Sequence, residues 1–353
     1  MIGLVLLVLL AAVGVFLYDS GVDLIKRALS DPPEQKCSVA KKNAKAEAVI
    51  VRVDEGDTSA DIAATLCNRG VVTDYSDFID VAEADERALS IQPGSYRLRI
   101  KMPPERALEV LVDPGSKLLT PVTIPEGYRA KEILAAIVDK TKFTRQQVKK
   151  AYRSVRRSSL PPYANRDPEG YLFPSTYNVE PGMTALDLLT QMVAQFRSYA
   201  DGAGLEGAAH QLGQSPGDLV TVASLVQAEA RRAEDMPKVA EVIYNRLDAG
   251  MPLQLDSTLH YAAELRGQVF TSKELRSIDS PYNTYRRTGL PPSPIDSPGA
   301  DALDAALNPT NAGYVYFVTV NLATGKTNFA TSYDDHLHNV ALYRRYCQTS
   351  DEC

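Results

Sequence analysis

The chain has 353 residues, 38 Lys and Arg against 44 Asp and Glu, and a net charge of −6. That length accommodates two or three domains, and 44% hydrophobic residues suit a largely folded chain. No long basic run interrupts the acidic balance, which argues against a nucleic-acid partner.

Met1 to Tyr18 (MIGLVLLVLLAAVGVFLY) is uncharged. As a helix it would be roughly 27 Å long, close to the hydrocarbon thickness of a bilayer. We expect a transmembrane anchor over 1–18. A cleaved signal peptide is the rival, but no basic segment precedes the run and no small-residue cleavage site follows it. Nothing upstream can be weighed against Lys26 and Arg27, so charge leaves the orientation open. Residues 19–46 are polar and aperiodic, the pattern of a linker.

A compact unit is expected over 47–120. Ala48 to Val53 is strand-like, Glu55-Gly56 turns, and Thr58 or Ser59 caps a helix through Leu66 that Gly70 stops. A helical stretch over Tyr75 to Ser90, a strand over Gly94 to Lys101 and a helix over Glu105 to Val112 follow. The pattern then recurs: VRVDEG at 51–56 matches VTIPEG at 122–127, and Ile62, Ala64 and Leu66 match Ile133, Ala135 and Ile137. We therefore expect a second strand–turn–helix module over 121–159. Its basic helix, Thr144 to Arg157, reads as a solvated face.

The main domain is expected over 160–353. Tyr163 to Tyr177 is too irregular for one element, and a helix follows over Thr184 to Tyr199. Asp218 to Leu247 holds two helices. Leu219, Val222, Ala223 and Val226 share one face of the first, with Glu229 at the edge of that stripe. Asp235, Pro237 and Gly250 start and stop the second. Val269 to Pro298 is a long Pro-, Ser- and Gly-rich segment, and such segments are functional or disordered. A hairpin over Tyr314 to Val320 and Lys326 to Thr331 and a helix over Asp334 to Tyr346 close the chain.

Cys37, Cys67, Cys347 and Cys353 form no CxxC pair, which argues against a zinc or redox site. Cys37–Cys67 with Cys347–Cys353 is the pairing with the shortest loops, and free thiols are the alternative. His210, His260, His336 and His338 lack metal-ligand spacing, and neither a nucleophile elbow nor a Gly-rich phosphate loop is present. We expect no metal and no cofactor.

Carboxylates, amides and tyrosines remain. Glu229 and Glu169 are candidate acids, and Asn245 and Arg246 lie on the second helix. Gln254, Asp256 and Thr258 alternate in a segment read as extended, so they share a face. Tyr282, Asn283, Thr284 and Tyr285 sit on the long loop. There are 18 Tyr and no Trp, so Tyr would supply any sugar-stacking face. A carboxylic acid in partly apolar surroundings keeps its proton and can donate it to a glycosidic oxygen. A glycan-active enzyme and a non-catalytic binding domain both fit this lining.

EGYLFPSTY (169–177), ASLVQAEA (223–230), VAEVIYNRL (239–247), LQLDSTLHYA (253–262), SPYNTYRRTGLPPSPIDSPG (280–299), YFVTV and NFATSYDDH (328–336) together resemble the MltG/YceG family of endolytic murein transglycosylases. The likeness spans about residues 48–346. It implies an α+β fold: a membrane anchor, small LysM-like βα modules, and a catalytic domain with a C-terminal hairpin and helix. The implied substrate is the peptidoglycan glycan strand, cut on the extracytoplasmic side of the cell membrane, with cell-wall synthases as partners. The implied catalytic residue is Glu229, the second acidic position of an ASIVEKE-type motif. Gln227 stands where the family has its first acid, so it is expected to affect support or substrate contacts and not proton transfer. Glu169, Tyr171, Asn245, Arg246, Gln254, Asp256, Thr258, Tyr282, Asn283, Thr284 and Tyr285 are the implied binding or supporting residues.

Overall fold

The computed structural model describes residues 37, 47–266 and 272–350, without the side chains of 156–158. The anchor expected over 1–18 lies outside these residues, as does nearly all of the linker. Among the described residues no helix is long and apolar enough to cross a membrane. The chain divides into two compact units, at 119/120.

In the first unit β1 (Ala48–Val53) leads through a turn into α1 (Ser59–Asn68), capped reciprocally by Thr58 and Asp61, and α2 (Tyr75–Ala84). The stretch expected to continue helical to Ser90 breaks at Asp85 into one 3₁₀ turn. β2 (Gly94–Arg99) returns antiparallel to β1, and α3 (Pro104–Val112) follows. Alternation along the strands sends Val51, Val53, Tyr96 and Leu98 onto Ile62, Leu66, Phe78 and Leu108. The expected Cys37–Cys67 disulfide is formed, and it ties the chain before β1 to the last turn of α1.

The second unit starts with the same order: β3 (Thr120–Thr123), α4 (Ala130–Lys140), α5 (Arg145–Ser158) and then β4 (Thr176–Val179), antiparallel to β3. Both copies of the repeat are thus strand–helix–helix–strand. The expected boundary at 159/160 cuts the second copy from its closing strand. Val122, Ile133, Val148, Tyr177 and Leu188 share one core that runs into α6 (Ala185–Gly202).

α7 (Leu205–Gln211) leads to α8 (Pro216–Glu229), whose start is fixed by a Ser215–Asp218 capping box. Eight consecutive residues of α8, Leu219 to Val226, are buried. A helix apolar on every side belongs at the centre, and α7, α9 (Met236–Asp248), α10 (Asp256–Ala262) and the helix Ala300–Leu307 surround it. α11 (Lys273–Arg276) and α12 (Ala300–Leu307) precede the hairpin of β5 (Tyr316–Asn321) and β6 (Lys326–Ala330), and α13 (Tyr333–Cys347) closes the described chain. Cys347 is also disulfide-bonded, and its partner lies outside the described residues.

Candidate functional site

Glu229 is the last residue of α8 and emerges from the buried stretch onto the wall of a cavity of about 450 Å³. The cavity is built from the end of α8, Arg246 on α9, Leu253 to Asp256 at the start of α10, Arg276, Tyr285, and the β5–α13 face with Phe317, His336 and Tyr343. Its size suits a small ligand or one or two sugar rings. Glu229 Oε1 accepts the Ser257 backbone N–H at 3.4 Å. Burial pushes its carboxyl above the ordinary range, opposed by Ser257 and assisted by the nearby charge of Asp256. A carboxyl so placed favours its protonated form more than an ordinary glutamate does, and can both give and take a proton.

Asp256 faces the same cavity and accepts the Tyr285 hydroxyl at 2.6 Å. The segment read as extended is helical from Asp256 onward, so Gln254, Asp256 and Thr258 do not share a face. Gln254 has φ 53 and lines the cavity, whereas Thr258 turns inward, bonded to the Leu255 carbonyl at 2.7 Å and to the Thr284 hydroxyl at 2.9 Å. One helical turn rotates i and i+2 to opposite sides, which a strand would not do.

The loop tetrad divides likewise. Thr284, expected at the groove, is buried; its hydroxyl accepts the Leu255 N–H at 3.0 Å and its carbonyl the Gln254 N–H at 3.0 Å. Asn283 is buried too, its amide donating to the carbonyls of Arg276 and Ile278 at 3.0 and 2.7 Å. These two hold the loop while Tyr285 is presented to the Glu229 cavity. Tyr171 is a correction of the same kind: it is 1% exposed, edge-on to Phe196 at 5.0 Å, and belongs to the core. Asn245 and Arg246 also act as braces. Asn245 donates to the Tyr314 carbonyl, and Arg246 to those of Val315 and Leu253, which fixes the hairpin and the 253–256 segment to α9. Arg246 also borders the cavity, over the Tyr316 ring at 5.4 Å.

Glu169 and Tyr282 line a different cavity, of about 500 Å³, with Arg129 and Tyr261. Glu169 is buried and accepts the Ala130 N–H at 2.8 Å and the Tyr261 hydroxyl at 3.2 Å. Burial dominates and raises its pKa to about 7. The neighbouring Gly170 has φ 87, and a Cβ there would meet Pro294 at 2.5 Å, so only glycine lets these loops touch. Gln227 accepts the Gly299 N–H at 2.9 Å at the start of α12, a supporting contact of the kind expected. Asp235 holds the cap position of α9 without a capping bond and pairs with Lys238 instead.

Three residues at the site were not foreseen. Arg276 and His336 line the cavity, and Glu241 braces its wall. His336 stacks on Tyr316 at 5.0 Å, and burial lowers its pKa. Glu241 is buried on α9 and accepts the backbone N–H groups of Ala312, Gly313 and Tyr314 at 2.6, 2.6 and 3.1 Å, with the Thr310 hydroxyl on its other oxygen. Its one sequence signal is a carboxylate amid Val239, Val242 and Ile243 on an apolar helix. Among the described residues no group of His, Cys, Asp or Glu could hold a metal ion.

A model of the YceG-like family matches residues 51–342. The chain is 31% identical over 331 residues to the endolytic murein transglycosylase of Bacillus subtilis, covering 90% of this chain and 88% of that one. It is 32% identical over 325 residues to the protein of the same name from Streptococcus pneumoniae strain D39, covering 83% of this chain but 58% of that one. A crystal structure of a yceG-like protein from Listeria monocytogenes superposes with a TM-score of 0.56 at 27% identity, over 83% of this chain and 99% of that one.

Proposed function

Because the chain belongs to the YceG-like family, we propose that it is an endolytic murein transglycosylase with Glu229 as its proton carrier. The bond cut is the β-1,4 linkage from N-acetylmuramic acid to N-acetylglucosamine inside peptidoglycan strands, and the new ends are 1,6-anhydromuramoyl. The observation that carries the reading is the Glu229 carboxyl, pushed toward its protonated form by burial, on the wall of a cavity of sugar size.

Protonated Glu229 donates to the glycosidic oxygen as the bond to the muramoyl C1 breaks. The resulting carboxylate takes the proton of the muramoyl C6 hydroxyl, whose oxygen closes on C1. Glu229 ends protonated again and no water is consumed, so the second carboxylate of a hydrolase is not required. Asp256, bonded to Tyr285, contributes a nearby negative charge that keeps the Glu229 proton in place and favours the positive character developing at C1. No cofactor takes part.

In the same reading residues 1–18 anchor the chain in the cell membrane with the catalytic unit on the extracytoplasmic side. The strand–helix–helix–strand unit at 48–99 is a LysM-like module that grips glycan. The enzyme then terminates strands made by neighbouring cell-wall synthases.

The test is mass spectrometry of strands released from purified peptidoglycan. Products lighter than hydrolytic ones by one water, lost on Glu229→Gln while sacculus binding survives, support the proposal. Products carrying the added water would make the enzyme a hydrolase. Binding without any release would leave a non-catalytic cell-wall scaffold.

A further inference from the structure

We propose that Arg276 reads a carboxylate carried by the muramoyl substituent of the strand, and so sets which glycan the Glu229 cavity accepts. This rests on the reading of that cavity as a muramoyl-glycan site. Arg276 ends the short helix α11 and lines the same cavity as Glu229 and Tyr285. Its guanidinium lies over the Tyr285 ring at 5.0 Å. Among the described residues it has no ion pair and no side-chain hydrogen bond.

The neighbouring cations differ. Arg286 donates to the Ser277 carbonyl, Arg287 pairs with Asp279, and Arg246 is spent on two carbonyls. Asp256, the carboxylate nearest to the Tyr285 hydroxyl, is already engaged by it. Arg276 is also held in place before any ligand arrives. Ser272 caps α11, and the Asn283 amide clamps the Arg276 carbonyl at 3.0 Å. A guanidinium stacked on a ring and fixed through its backbone has less freedom to lose on binding, and its fork matches a planar carboxylate.

The cavity therefore combines one proton-carrying carboxyl with an exposed, unpaired cation. A neutral polysaccharide would gain nothing from that cation. A muramoyl strand offers a carboxylate from either of two sources: the free lactyl group of a denuded strand, or the peptide stem.

The experiment uses the full chain in detergent micelles with the Glu229→Gln background, so that ligands are not consumed. Titration calorimetry compares Arg276→Ala and Arg276→Lys against denuded glycan oligomers, stem-bearing oligomers and N-acetylglucosamine oligomers of equal length. We expect Arg276→Ala to weaken a carboxylate-bearing ligand roughly tenfold, with Arg276→Lys recovering part of the loss and the N-acetylglucosamine oligomers unaffected. Loss confined to denuded oligomers assigns the lactyl group, loss confined to stem-bearing ones assigns the stem, and loss on both assigns either source. An equal loss on all three ligands, or none, overturns the proposal, provided the melting temperature is unchanged. With Glu229 intact, the same variant is expected to raise KM more than it lowers kcat. A chain that binds in this manner yet releases no anhydro ends would overturn the proposed reaction and leave the Arg276 contact standing.

Discussion

Replacing Glu241 tests how the far wall of the cavity is held. Its carboxylate accepts three backbone N–H groups from Ala312 to Tyr314 and the Thr310 hydroxyl, and so binds the approach to β5 onto α9. Burial works against the charged form, but those four donors outweigh it and leave the pKa below the ordinary glutamate value. Glu241→Ala strands four donors at about 1 kcal/mol each. Because only a thin loop covers them, water recovers part, and we expect a net loss of about 3 kcal/mol. For a unit of this size that lowers Tm by about 6–12 °C. Glu241→Gln keeps one oxygen for the three N–H groups and should cost about 1 kcal/mol. Thermal melts by circular dichroism, followed in the larger unit, measure both. A lowered pKa means the carboxylate's contribution is present above the unfolded pKa and fades as pH falls through the folded one. The gap between parent and Glu241→Gln should therefore narrow as pH falls below the ordinary glutamate value and close only below the lowered folded pKa. An alanine variant within 0.5 kcal/mol of the parent would refute this reasoning.

Glu169 carries the opposite sign. Its raised pKa, about 7, means the fold favours the neutral acid, so stability falls as pH rises from the unfolded value toward 7. The loss is about 3 kcal/mol; Glu169→Gln should remove the slope and melt higher than the parent at pH 8, and a parallel pair of melting curves would count against it. The rate of strand release should fall as pH rises through the elevated pKa of Glu229, whereas a rate flat from acid to alkaline pH would exclude a protonated donor. Gln227→Glu should still accept the Gly299 N–H and leave both products and stability unchanged, while Gln227→Ala costs about 1 kcal/mol. A tenfold gain in rate for Gln227→Glu would give that position a chemical part after all.

Helix α9 was legible because its apolar periodicity and boundary residues agree, Pro237 in the first turn and Gly250 after the last, and α8 because no charge breaks its apolar run. Period alone cannot distinguish a short helix from a strand, so LQLDSTL reads as extended although it is helical from Asp256 onward. Asp256 to Ala262 makes two turns, and the pattern of Leu253, Leu255 and Leu259 fits either form. β4 escaped notice for another reason. It is four residues long, and its partner β3 lies 53 residues earlier, so nothing local announces the pairing. Among the candidate residues, the sequence could not tell inward from outward. Thr284 and Tyr285 are adjacent, yet one locks the loop and the other meets the cavity. The bond from Glu241 to a loop some seventy residues away could not be seen before the fold brought them together.

The late closing strand of the second repeat has a practical consequence for dissecting the protein. A fragment begun at Leu160, where composition invites a cut, would carry β4 without β3 and expose the apolar faces of Leu188 and Met192 that α4 and α5 cover. An unpaired strand above an uncovered helix invites self-association. The smallest piece that retains the Glu229 cavity with its neighbouring core intact therefore begins at Thr120, and a soluble fragment for crystallisation or assay should be cut there.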